Sequence, residues 1–239
     1  DSGKALCKTP LPDWVFKGPV ADAGGVHTAA GSWNPTSGTF APVRKLPVYT
    51  RQHFPESVLG ANAPSATKAG TTVQEDESMR LWTLDGDVLI ASIKTKMHAI
   101  GGGVIEGLNT AIELAEKEYQ GLVIWSPDEM FSAGADLQSM LPGFMMGGVK
   151  AIDGAAHELQ KVMLKLRYAN VPTIAAIRGL ALGGGCEMAV YSGKRVAAME
   201  SYIGLVEVGV GLVPGAGGLA YIARRAAEAA STSTNKDIV

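Results

Sequence analysis

Residues 173–187 read TIAAIRGLALGGGCE, an apolar, partly β-branched run that enters a loop of small residues and ends on an acid. Pro172 opens the run, and residues 173–178 have the length of a buried strand. Small residues after a strand let the backbone approach a ligand and present its N–H groups. A second loop of this kind, FSAGADL at residues 131–137, follows the apolar strand expected over 121–126. Open α/β sheets hold ligands at the carboxyl ends of neighbouring parallel strands. Each loop can lend one N–H to a carbonyl oxygen that becomes negative during a reaction.

The flanking pattern fits such a sheet. Residues 87–93 read as a strand. Residues 103–120 read as an amphipathic helix with Val104, Leu108, Ile112, Ala115 and Tyr119 on one face. Residues 152–170 form a second helix, with Ile152, Ala156, Leu159, Met163 and Leu166 at core spacing, and residues 217–230 a third. Strands alternating with helices imply parallel βαβ units, so the fold class is α/β. Eight of the 12 prolines lie before Asp76, mixed with Gly, Ser, Thr and Asn and without sustained periodicity. Proline fixes φ and removes a donor, which excludes long helices and central strands there. Residues 1–78 therefore read as an extended Pro/Gly-rich interdomain arm with aromatic anchors such as Trp14, Trp33 and Phe40, and residues 79–239 as the domain.

Composition removes several function classes. Lys and Arg total 21 against 23 Asp and Glu, a net charge of −2, without the basic excess of nucleic-acid binding. Two cysteines make no disulfide framework and, with no signal peptide, point to the cytoplasm. No run is suited to a membrane span, because the apolar stretch 208–223 is broken by Pro214 and glycines. The four histidines show no metal spacing, so no metal is expected. G-x-G-x-x-G fails at both glycine clusters, where Glu106 and Met188 occupy the last position, and a Walker A loop is absent. Cys186 could act as a thiol nucleophile, but a small buried residue is the more economical reading.

Three segments in order, FSAGADL (131–137), ALGGGCE (181–187) and PGAGG (214–218), resemble the enoyl-CoA hydratase/isomerase (crotonase) family. The resemblance covers about residues 80–225. It implies a crotonase-like ββα spiral, an acyl-CoA thioester as substrate, and an oxyanion hole made by the N–H groups of Ala135 and Gly184. It places the carbonyl contact to the CoA adenine on Ala133, with Asp136, Leu137 and Gly183 as further substrate-binding positions. The hydratases of the family carry two glutamates, which fall on Glu187 and Glu207. Two carboxylates suit the chemistry: water must be polarised for attack at the β-carbon while a proton reaches the α-carbon. No cofactor is implied beyond the substrate's own CoA, and NAD enters only with a dehydrogenase domain elsewhere.

This chain departs from the family pattern in three places. Val206 stands where proline commonly precedes the second glutamate, Met97-His98-Ala99 replaces Met-Asn-Ala, and Gln138 replaces a lysine. The segment LPVYTRQHFP (46–55) resembles the join between a 3-hydroxyacyl-CoA dehydrogenase region and a hydratase domain in bifunctional β-oxidation proteins. With no initial methionine and few residues after PGAGG, the expectation is an internal fragment whose hydratase fold is C-terminally truncated, with a dehydrogenase domain and homo-oligomer partners. The function expected is hydration of a trans-2-enoyl-CoA. The alternatives are a Δ3,Δ2-enoyl-CoA isomerase, which uses one carboxylate at the second position, and a non-catalytic acyl-CoA-binding module.

Overall fold

The computed structural model describes residues 10, 12–28, 31–42, 46–47, 69–128 and 130–232. Cys7 and most of the 46–55 segment lie outside them. The chain divides into two units, residues 1–68 and 69–239.

In the first unit, β1 (His27–Thr28), β2 (Gly31–Asn34) and β3 (Thr39–Ala41) form a small antiparallel meander inside what reads from sequence as an extended arm. The prolines flank these strands and do not interrupt them. Asn34 Oδ1 accepts from Thr36 N at 2.9 Å and starts the turn, which closes as Gly38 N donates to Asn34 O. Trp33 packs edge-on to Phe40 across the hairpin, ring centroids 5.3 Å apart, with Trp14 at 6.5 Å.

The second unit carries two sheets. In the first, the order is β11-β9-β7-β6-β5-β4. Here β4 (Thr71–Glu75), β5 (Met79–Thr83) and β6 (Leu89–Ile93) are antiparallel, whereas β7 (Leu122–Ile124), β9 (Thr173–Ile177) and β11 (Lys194–Ala197) extend the sheet in parallel. The second sheet, β12-β10-β8, is parallel throughout and uses Tyr202–Gly204, Leu180–Leu182 and Met130–Ser132. Four helices follow in chain order: α1 (Gly102–Glu118), α2 (Leu137–Arg167), α3 (Gly184–Tyr191) and α4 (Gly218–Thr232). Each repeat therefore gives one strand to each sheet and then a helix: β7-β8-α2, β9-β10-α3, β11-β12-α4. This is the ββα spiral.

Sheet and helix boundaries depart from the sequence reading where the pattern is weak. Strand β4 belongs to the sheet, although residues 71–75 fall within the expected arm. It is a polar edge strand, exposed at all five positions, so no burial alternation marks it. Asp76 Oδ1 accepts from Ser78 N and Met79 N at 2.7 and 2.8 Å, folding β4 back onto β5. Helix α2 begins fifteen residues before the expected start at Ile152, because Asp136 caps it by accepting from Ser139 N at 3.1 Å. Its interior breaks at Gly148 (φ 57°, ψ −145°), which joins two helical segments end to end.

The core lies between the first sheet and the helices. Leu89, Leu108, Ala111, Ile112, Leu122, Val162, Met163 and Leu166 are wholly buried, and a leucine of this kind contributes about 1.5–3 kcal/mol. Within α2, Leu159, Met163 and Leu166 join the core as the spacing predicts, but Ile152 is exposed along half its surface. The reason is that this part of α2 borders a cavity, not the sheet.

Candidate active site

Three loops converge at the carboxyl ends of β8, β10 and β12, because the spiral sets those strands side by side. The 131–137 loop leaves β8 and is tied to the turn at residues 97–100. Ala133 N donates to Met97 O (3.1 Å), Gly134 N to Ser132 Oγ (3.1 Å) and Asp136 N to Ile100 O (3.0 Å), while Ile100 N donates to Gly134 O (2.8 Å). The amides on either side of Ala135 are thus engaged. Ala135 N has no partner among the described residues.

The second loop leaves β10. Gly183, at φ 51° and ψ −121°, makes the turn into α3, its N–H donating to Gly204 O on β12 at 2.9 Å. A side chain there would be strained and would press on Glu207 Oε1, 3.1 Å from the position of a Cβ. Gly184 is the first residue of α3, where an N–H has no intrahelical acceptor. The two loops approach closely here: a Cβ on Gly184 would lie 3.4 Å from Ala135 N. Two unengaged donors thus lie on neighbouring loops that line one cavity.

Glu187 follows in the first turn of α3 and is 1% exposed. Its Oε1 accepts from Ala216 N at 2.9 Å and Gly218 N at 2.8 Å, both in the PGAGG segment. Burial pushes this carboxyl up from its ordinary value. The Gly218 N–H opposes that, the charge of Glu207 reinforces it, and the Ala216 N–H opposes it again; the net shift is upward. Glu207 begins a short 3-10 turn (Glu207–Val210) after β12, with Oε2 buried and lacking a hydrogen-bond partner. An orphaned buried carboxylate oxygen is costly in a resting site and suits a water or substrate that arrives.

The upward shift has a consequence for stability. The folded chain holds the Glu187 proton more tightly than the unfolded chain. Its favourable contribution is complete below the ordinary glutamate value of about 4.3 and is lost as pH rises through the elevated folded value. Glu187→Gln removes this dependence. The difference in Tm, variant minus native, is expected to increase as pH is raised from about 4 to about 7 in thermal unfolding at constant ionic strength. A difference that stays flat across that range contradicts the assignment.

The cavity encloses about 270 Å³ and includes Ala133, Gly134, Ala135, Gly183, Gly184, Glu187 and Glu207 in its lining. Its other wall is apolar: Met140, Phe144 and Ile152 from α2, and Val210, Leu212 and Val213 after Glu207. Polar groups at one end and a greasy wall at the other fit a ligand with an acyl tail. Of the site positions expected from sequence, Asp136 is the one outside this lining; its carboxylate caps α2. Leu137 lines the cavity from the first residue of that helix. Sequence reasoning missed the Ala216 and Gly218 amides that hold Glu187, although the PGAGG motif carrying them is visible. It also missed the first half of α2, whose Pro142, Gly147 and Gly148 obscure a helical pattern.

Cys186 points to no nucleophilic chemistry. Burial, with the charges of Glu187 and Glu207, pushes its thiol up to about 11, so the thiolate is scarce. Arg224 and Arg225 lie away from the cavity and pair with Glu228, at 3.7 and 2.8 Å. Among the described residues no group of three or more His, Cys, Asp or Glu could hold a metal ion. No described helix is long and apolar enough to cross a membrane.

A family model described as enoyl-CoA hydratase/isomerase matches residues 89–234, which takes in both loops, both glutamates and the PGAGG segment. The chain belongs to this family. It is 35% identical over 146 residues to a Bacillus subtilis (strain 168) protein named "Probable 3-hydroxyacyl-CoA dehydrogenase", covering 61% of this chain and 18% of that protein. It is 36% identical over 110 residues to the fatty acid oxidation complex subunit alpha of Pseudomonas syringae pv. syringae (strain B728a), covering 46% and 15%. The matched stretches thus span less than a fifth of these relatives. An enoyl-CoA hydratase from Polaromonas sp. JS666 superposes with a TM-score of 0.57 at 27% identity, over 61% of this chain and 58% of that one. The crotonase fold and the kinship to fatty-acid-oxidation proteins therefore stand together.

Proposed function

We propose that this chain carries the enoyl-CoA hydratase site of a fatty-acid-oxidation enzyme. The observation that carries the reading is the presence of two carboxylates, Glu187 and Glu207, in the same cavity as two unengaged N–H groups. The thioester oxygen of a trans-2-enoyl-CoA accepts from Ala135 N and Gly184 N, which stabilise the negative charge it gains as the β-carbon is attacked. Glu187, fixed through Oε1, leaves Oε2 to hold the water. The water oxygen bonds to the β-carbon as its O–H breaks and that proton passes to the unpartnered oxygen of Glu207. Glu207 then hands the same proton to the α-carbon as the enolate collapses, so one water is added across the double bond and both carboxylates end as they began. Ala133, Leu137 and Gly183 border the substrate. Partners outside this site, a dehydrogenase domain or further copies of the chain, belong to the same proposal, in keeping with the relatives' names.

An isomerase would use the same oxyanion donors and a single carboxylate at Glu207. The retention of Glu187, buried and held by two backbone N–H groups, favours the hydratase. The deciding experiment follows hydration of crotonyl-CoA and isomerisation of a 3-enoyl-CoA by the native chain, Glu187→Gln and Glu207→Gln. A hydratase loses hydration in both variants. Isomerisation that survives Glu187→Gln but not Glu207→Gln, without hydration in the native chain, would identify an isomerase. Binding of CoA without either reaction would leave a binding module.

A further inference from the structure

His98 occupies the position where the family commonly has asparagine, and its surroundings give it a defined task. Among the described residues, Met97 and His98 are the two non-glycine residues with positive φ, at 56° and 49°. Asparagine and histidine are among the side chains that tolerate this region. The ring is 4% exposed and sits between two acceptors: Nδ1 is 2.7 Å from Met130 O and Nε2 is 3.0 Å from Asp128 Oδ2. A carbonyl oxygen and a carboxylate both accept hydrogen bonds and cannot donate them. Nδ1 therefore donates its hydrogen to Met130 O, the contact at the start of β8, while the Asp128 side chain at the other ring nitrogen is exposed.

The same residue also holds the strand that leads to the oxyanion loop. Ser132 Oγ donates to His98 O at 2.7 Å and accepts from Gly134 N at 3.1 Å. The ring thus grips Met130 at the start of β8, and the His98 backbone grips Ser132 at its end. Three residues further on is Ala135. We propose that His98 is a positioning residue that sets the direction of the Ala135 N–H. This rests on the reading of Ala135 as an oxyanion donor. Removal of the ring takes away the hydrogen that Met130 O accepts, and β8 loses an anchor.

The test uses the 239-residue chain, 15N-labelled. The Ala135 amide is followed by NMR in the native chain, His98→Asn and Asp128→Asn. Its resonance is expected to move in His98→Asn, which loses the ring contact to Met130 O, and to stay in place in Asp128→Asn, whose side chain is exposed. In crotonyl-CoA hydration, His98→Asn is expected to lower kcat about tenfold with KM little changed, since an oxyanion donor acts on the transition state. An Ala135 amide resonance unmoved by His98→Asn, or a loss that falls on KM and leaves kcat unchanged, overturns the proposal. Should the native chain fail to hydrate crotonyl-CoA, the hydratase reading falls, and the amide signal still decides the positioning role.

Discussion

Glu187→Gln is expected to lower crotonyl-CoA hydration about a thousandfold while leaving the fold intact, whereas Glu187→Ala loses both. The rate loss is the size typical of removing one positioned acid or base. The structural contrast comes from Oε1, which receives the N–H groups of Ala216 and Gly218. Glutamine keeps a carbonyl oxygen in that place, so the PGAGG segment stays docked. Alanine leaves two buried N–H groups unpaired, at about 1–3 kcal/mol each, and opens a void under a residue that is 1% exposed. Steady-state kinetics and thermal unfolding of the two variants side by side test this. Equal melting of Gln and Ala variants would show that the two hydrogen bonds do not hold the loop.

Gly134→Ala is expected to cut kcat/KM by about a hundredfold and to lower Tm by several degrees. Gly134 has φ +96°, and a Cβ there would stand 2.7 Å from Leu182 O and 3.1 Å from Gly184 N. The strain of such a backbone costs about 1–3 kcal/mol in a residue with a side chain. The contact also acts on function. The methyl group would wedge between the two loops that carry Ala135 N and Gly184 N, and loss of one oxyanion donor costs about 10²–10³ in rate. Gly143→Ala serves as the control, because nothing lies within 4 Å of its Cβ position in α2. It is expected to keep activity and to be neutral or slightly stabilising. Activity of the Gly134 variant equal to that of the control would remove the wedge argument.

Much of this was written locally. The two small-residue loops, Glu187 and Glu207 were legible because glycine next to an apolar run leaves few conformations and few uses. Helix α1 was legible because Val104, Leu108, Ile112 and Ala115 repeat at helical spacing and all reach the core. Strand β4 was not, since a polar edge strand carries no periodic burial and is defined by its partner. Helix α2 was misread at its start because Pro142 and the Gly147-Gly148 pair resemble a loop, while the cap from Asp136 and the cavity wall hold the helix there.

By itself, the sequence determined the alternation of strand and helix, the family and the identity of the acidic groups, because periodicity and loop composition are properties of neighbouring residues. Tertiary structure alone decided which amides are left without partners. Ala135 is free because Met97 and Ile100, more than thirty residues earlier, engage the amides of Ala133 and Asp136 and the carbonyl of Gly134, while Ser132 Oγ takes the Gly134 amide. Glu187 is held and its proton affinity raised because a loop some thirty residues later closes over it. Hydrogen bonding and desolvation depend on what is brought near in space, and only the folded chain specifies that.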